Sequence, residues 1–230
     1  MQTAMRDERF GFDRSDRLHR TLLASLAQAE FHPYPYPNWR LAGLFPEGIA
    51  AQLAQLPFAP PPMDGGSGRR EASNEHRRYF AGGELNRHPV MRRVAEAFQS
   101  AEVASALAQS TGAKLGGAYL RIEYAVDQDG FWLEPHTDLG VKTLTLLIQL
   151  ASPGQSDLGT DIYGGPSDWR ERASFGWNEA LLFVPSDNTW HGFEPRRISG
   201  LRRSVIVNYV TNDWCAREQL AFPGRPVDLP

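Results

Sequence analysis

Hydrophobic positions change their period half-way along the chain. In the first half they recur at helical spacing. Leu18, Leu22, Leu23 and Leu26 mark one helix, with Ser15 or Asp16 as its cap. Pro46-Glu47 followed by Ile49, Leu53 and Leu56 predicts a short second helix with proline in its first turn. Val90, Val94, Phe98, Val103 and Leu107 predict one long helix or two short ones between Pro89 and Ser110, stopped near Gly112. The proline-rich run His32 to Pro37 is expected to be extended, and Pro60 to Gly68 to be turn-rich. From Ala118 the period becomes two. Ala118, Leu120, Ile122 and Tyr124 alternate with Tyr119, Arg121 and Glu123, which predicts a strand. Further strands are expected at Trp132–Thr137, Thr143–Leu150, Thr160–Tyr163, Leu181–Val184, Thr189–Phe193 and Arg202–Val210. Turn signals such as Asp129-Gly130, Ser152-Pro153-Gly154 and Gly164-Gly165-Pro166 separate them.

Many short strands at this spacing predict a mainly β fold with N-terminal α: a jelly roll, or double-stranded β-helix, flanked by helices. Leu144 to Leu150 is apolar on both faces, as in an internal strand covered on each side. No linker divides the halves. We expect one domain over 1–230: a helical part at 1–115, the jelly-roll core at 116–212 and a tail at 213–230.

Composition narrows the class. The chain has 230 residues, of which 41% are hydrophobic, enough for one buried core. Its formal net charge of −3 is spread along the chain, with no basic stripe carrying interleaved aromatics, so no nucleic-acid partner is expected. A single cysteine, Cys215, builds no internal disulfide. Met1 to Asp16 is charged and lacks the apolar centre of a signal peptide, and no run has the length of a membrane span. The expected compartment is the cytoplasm, with no membrane partner.

The candidate chemistry lies in the second half. His136-Thr137-Asp138 sits at the end of a predicted strand, where residues two apart share a face. His191 belongs to a later strand, and a strand-rich fold can return it to the same mouth. Two imidazoles and one carboxylate can hold one face of a ferrous ion and leave the other open. Zinc takes the same groups, so spacing alone does not choose the metal. An isolated His-X-Asp is common, and a lone histidine is more often a hydrogen-bonded core residue. The joint pattern, with an arginine opening the last strand, points to a metal site.

The segment Tyr124 to Val210 resembles the catalytic core of the iron(II)- and 2-oxoglutarate-dependent oxygenases, in their prolyl-hydroxylase-like branch. Tyr124, Gly130, Pro135-His136-Thr137-Asp138, Leu144-Thr145-Leu146-Leu147, Phe183-Val184-Pro185, His191 and Gly200-Leu201-Arg202-Arg203-Ser204 carry the resemblance. It implies Fe(II) on His136, Asp138 and His191, with 2-oxoglutarate and O₂ as cosubstrates. It selects Arg202 over Arg203 as the guanidinium that grips the distal carboxylate, with Ser204 on the same strand face. Tyr124, Gln149 and Thr145 are further candidates for the cosubstrate. The resemblance also implies a dioxygenase that hydroxylates an unactivated C–H bond of a small molecule or peptide and releases succinate and CO₂. Asp138 stands where related halogenases have a small residue, which favours hydroxylation. Two other readings stay open: a cupin-type metal enzyme that needs no oxoacid, and a non-catalytic jelly-roll binding module. The groups that accept the other ring N–H of each ligand histidine, with Glu134, Asp187 and backbone carbonyls as candidates, stay open too.

Overall fold

Residues 17–62, 68, 77–138 and 140–229 are described by a computed structural model. The expected caps Ser15 and Asp16 and positions 63–67 of the turn-rich 60–68 run lie outside them. Among the described residues five helices precede the core strands: α1 (17–27), α2 (Glu47–Ala54), α3 (Gly82–Arg87), α4 (Pro89–Gln99) and α5 (Ala101–Thr111). The alternatives for 89–110 resolve into two helices, because Ser100 is extended (φ −64°, ψ 142°) and ends one while starting the next. Its hydroxyl accepts the Val103 N–H, and Gly112 closes α5 at φ 75°, a left-handed position that suits glycine.

Eleven strands follow in chain order: β1 (Glu30–His32), β2 (Asn38–Ala42), β3 (Arg78–Tyr79), β4 (Tyr119–Asp127), β5 (Leu133–His136), β6 (Lys142–Leu150), β7 (Asp161–Tyr163), β8 (Trp169–Arg172), β9 (Trp177–Phe183), β10 (His191–Phe193) and β11 (Arg202–Val210). They form an antiparallel seven-stranded sheet, β1-β2-β9-β6-β11-β4-β3, and a four-stranded sheet, β5-β10-β7-β8. The fold is a double-stranded β-helix with helices outside it, as the alternation predicted.

Strand alternation divides the large sheet into two faces. Leu120, Ile122, Tyr124 and Val126 of β4, Leu144, Leu146, Ile148 and Leu150 of β6, and Val205, Val207 and Tyr209 of β11 share one core with the helices. The opposite residues, including Glu123, Asp127, Thr145, Gln149, Arg202 and Ser204, face a cavity between the sheets. The N-terminal half departs from its expected helix-and-loop character by adding β1 and β2 at one edge of the large sheet and β3 at the other. His32 to Pro37 bends between β1 and β2 instead of running extended. A proline there removes no ladder hydrogen bond, so the strands tolerate it at the edge. Strand β8, another edge, also went unanticipated. Among the described residues no helix is long and apolar enough to cross a membrane.

A polar knot holds the small sheet. Asp161 of β7 is fully buried and accepts hydrogen bonds from Arg196 Nη1 (2.6 Å), the Glu194 N–H (2.7 Å), Arg172 Nε (2.8 Å) and Trp169 Nε1 (3.2 Å). Arg196 is thereby tied down. Burial alone would raise the Asp161 carboxyl, but the hydrogen bonds from Arg196, Glu194 and Arg172 outweigh it and hold the group below the usual carboxylate range. Its contribution to stability is therefore complete above about pH 4, the unfolded value, and lost as pH falls through the lower folded value. Asp161→Asn should destabilise the protein by about 3 kcal/mol at pH 7, since it breaks a buried pair. It should also flatten the fall of melting temperature between pH 5 and 3, measured by circular dichroism.

Candidate metal centre

Register brings the ligands together. In the antiparallel pair β5–β10, His136 lies directly opposite His191. Their ring centroids are 4.4 Å apart, and Asp138 follows β5 on the same side. One ligand atom from each of His136, Asp138 and His191 lies within 4.8 Å of the others. Both imidazoles are oriented by backbone carbonyls two residues upstream: His136 Nδ1 lies 2.9 Å from Glu134 O, and His191 Nδ1 2.9 Å from Thr189 O. An N–H at Nδ1 donates to each carbonyl and leaves the Nε2 lone pair for a metal. Of the candidates left open for orienting the histidines, backbone carbonyls take this place at both. Phe183 packs against His191 at 4.9 Å.

Asp138 is 9% exposed and carries two charge-relevant contacts. Lys142 Nζ donates to its Oδ1 at 2.7 Å, and Thr145 Oγ1 donates to its Oδ2 at 2.7 Å. Each carboxylate oxygen has a second lone pair, so both contacts are compatible with metal binding. They fix the carboxylate's rotation. Lys142 escaped the sequence reading, although a lysine heading an otherwise apolar strand, four residues after a ligand, is the signal that could have found it. The donor set suits a divalent metal: two neutral imidazoles and one anion, already oriented, in a cavity.

The same cavity continues along the inner face of the large sheet to Arg202. Ser204 faces Ala125 on one side and Gln149 on the other. Gln149 is 1% exposed, and neither its Oε1 nor its Nε2 has a hydrogen-bond partner among the described residues. A buried carboxamide with nothing to bond is costly unless something else fills the space. Arg202 donates from Nε to Leu158 O at 2.8 Å and from Nη1 to Asp127 Oδ2 at 2.5 Å. Its guanidinium carbon lies 4.9 Å from the Phe175 ring and 4.7 Å from that of Phe193. Burial depresses the guanidinium's proton affinity, and Asp127 offsets part of that effect.

Two candidates sit elsewhere than expected. Tyr124 does not line this cavity. Val205, not Arg202 or Ser204, is its register partner on β11, so its side chain points to the helical face and its hydroxyl donates to Leu53 O at 2.7 Å. Burial pushes that phenol up to about 12. Arg203 occupies the same back face beside Tyr124, half-buried and turned away from the Arg202 side. Thr145 does line the cavity, but its hydroxyl serves Asp138 and approaches Asn208 Oδ1 at 3.1 Å. Cys215 is exposed and free.

Charge is balanced across the lining. Arg77, Lys142 and Arg202 face Glu123, Asp127 and Asp138. Arg77 pairs with Glu123 at 2.7 Å, and Glu123 also accepts from Arg121.

No family model matches the sequence, and no curated protein does. Solved structures do. A prolyl 4-hydroxylase from Phytophthora capsici matches 87% of this chain and 66% of its own, with a TM-score of 0.56 at 13% identity. A prolyl-4-hydroxylase from Pseudomonas putida matches 85% of this chain and 99% of its own, with a TM-score of 0.55 at 13% identity. The viral collagen prolyl hydroxylase of Paramecium Bursaria Chlorella virus-1, solved as a 2-oxoglutarate complex, matches 76% of this chain and 96% of its own (TM-score 0.51, 12% identity). The chain therefore has the double-stranded β-helix fold of the prolyl 4-hydroxylases.

Proposed function

We propose that the protein is an Fe(II)- and 2-oxoglutarate-dependent dioxygenase. It hydroxylates a C–H bond of a small molecule or peptide and releases succinate and CO₂. The observation that carries this reading is the convergence of His136, Asp138 and His191 in one cavity with Arg202 and the unpartnered Gln149. His136, Asp138 and His191 would hold the metal. Arg202 and Ser204 would hold the distal carboxylate, with Gln149 supplying a hydrogen bond. The metal and oxoacid together supply the O₂-activating chemistry when bound. The chain's own part is to orient both imidazoles through Glu134 O and Thr189 O and to fix Asp138 through Lys142 and Thr145.

Electrostatics supports a doubly charged pair of ligands. Among the described residues three cationic and three anionic side chains line the cavity. A divalent metal alone leaves an excess of positive charge, and a dicarboxylate alone the reverse. The two together restore balance, which matters most where water is excluded. The similar viral hydroxylase was solved with 2-oxoglutarate, which agrees with the same cosubstrate here.

A second reading, a metal enzyme of this fold that uses no oxoacid, draws on the Arg202–Asp127 pair, because that arginine already has one carboxylate. The test is anaerobic reconstitution with Fe(II) and 2-oxoglutarate, followed by air. We expect succinate above the metal-free control, and one-oxygen mass gains in a metabolite and peptide pool. O₂ uptake or product formation that leaves 2-oxoglutarate unconsumed would select the second reading.

A further inference from the structure

The Arg202–Asp127 pair has a consequence for the reading of this cavity as a diacid site, on which the following rests. Asp127 is the register partner of Arg202, and both are buried and line the cavity. Its Oδ2 takes the Arg202 Nη1 at 2.5 Å, one of the donors an incoming carboxylate would need. The guanidinium does not depend on Asp127 for its position. Leu158 O holds Nε, and the Phe175 and Phe193 rings both pack against the guanidinium. Asp127 also feels the charge of Arg77, which is itself committed to Glu123.

We infer that Asp127 is a built-in counter-anion that competes with the distal carboxylate of the diacid for Arg202. With the site empty of diacid, it neutralises a buried guanidinium that would otherwise destabilise the fold. With the diacid bound, two carboxylates share one guanidinium, and like-charge repulsion weakens the complex. The same weakening applies to succinate, whose distal carboxylate is identical, so Asp127 also promotes product release. Asp127 is thus a specificity-determining residue that acts through Arg202.

The test is calorimetric titration of the Mn(II)-loaded, full-length protein under argon. The probes are 2-oxoglutarate, succinate and 2-oxobutyrate, which has no distal carboxylate. We expect Asp127→Asn to tighten 2-oxoglutarate and succinate by about tenfold or more, on the scale of a close charge pair. Binding of 2-oxobutyrate should stay within about twofold, while Arg202→Ala should lose diacid binding. Asp127→Ser should repeat the tightening. If both charge-removing variants are less stable, 2-oxoglutarate should raise their melting temperatures more than that of the wild type. Weaker or unchanged diacid binding in both variants, or failure of both to fold even in saturating diacid, overturns the inference alone. A wild type that binds no 2-oxoglutarate overturns the parent reading and the inference together.

Discussion

Asp138→Ala, His136→Ala and His191→Ala should each abolish oxidative turnover and weaken metal binding by at least about a hundredfold, on the order of what loss of a group that only orients a ligand can reach. Each variant removes one of three donors whose ligating atoms lie within 4.8 Å of each other, and two donors cannot hold a divalent ion against water. The three differ in the metal-free protein. Asp138→Ala removes the carboxylate 2.7 Å from the Lys142 ammonium, whose side chain is 3% exposed. It should lower the metal-free stability by about 3 kcal/mol, the scale for breaking a buried ion pair. His136 is half-buried, with Nδ1 on a backbone carbonyl and no buried charge left behind by its removal, so His136→Ala should lower the metal-free melting temperature less than Asp138→Ala. Metal titration with succinate detection, beside thermal melts without metal, checks both parts. Wild-type turnover in any one variant removes that residue from the site.

Arg202→Ala should raise the 2-oxoglutarate requirement by about a hundredfold and change metal affinity only a few-fold. Truncating one member of a buried charge pair typically costs about 2–5 kcal/mol, much of it from the charge left behind. Here that charge is Asp127, which then repels the diacid directly. Arg203→Ala should shift the requirement by less than about twofold, because its guanidinium lies on the helical face beside Tyr124. Initial rates against 2-oxoglutarate concentration, with metal affinity measured in parallel, separate the two. A large effect from Arg203 and none from Arg202 would show that the diacid binds on the other side of the sheet.

The contrast between Arg202 and Tyr124 shows how far local reasoning reaches. Alternation assigns Arg202 and Ser204 to one face of β11 from the chain alone, because the period of a strand is two. It cannot say which face of β4 meets them. That depends on the pairing of Tyr124 with Val205, a register between segments some eighty residues apart. A one-residue slip would have turned Tyr124 into the cavity. Thr145 and Gln149 share a face as the sequence predicts, yet one is spent on Asp138 and the other is left unpartnered. Their difference arises from what stands opposite each of them.

Hydrophobic period and the His136-Asp138-His191-Arg202 pattern were determined by the sequence itself. Periodicity is written residue by residue, and metal or carboxylate binding needs particular side-chain types. The tertiary structure alone decided that β1, β2 and β3 extend the large sheet, that Lys142 joins Asp138, and that Asp127 faces Arg202. Strands of two to five residues carry too few positions to show a period. Ion pairs across strands depend on register, which no single segment encodes.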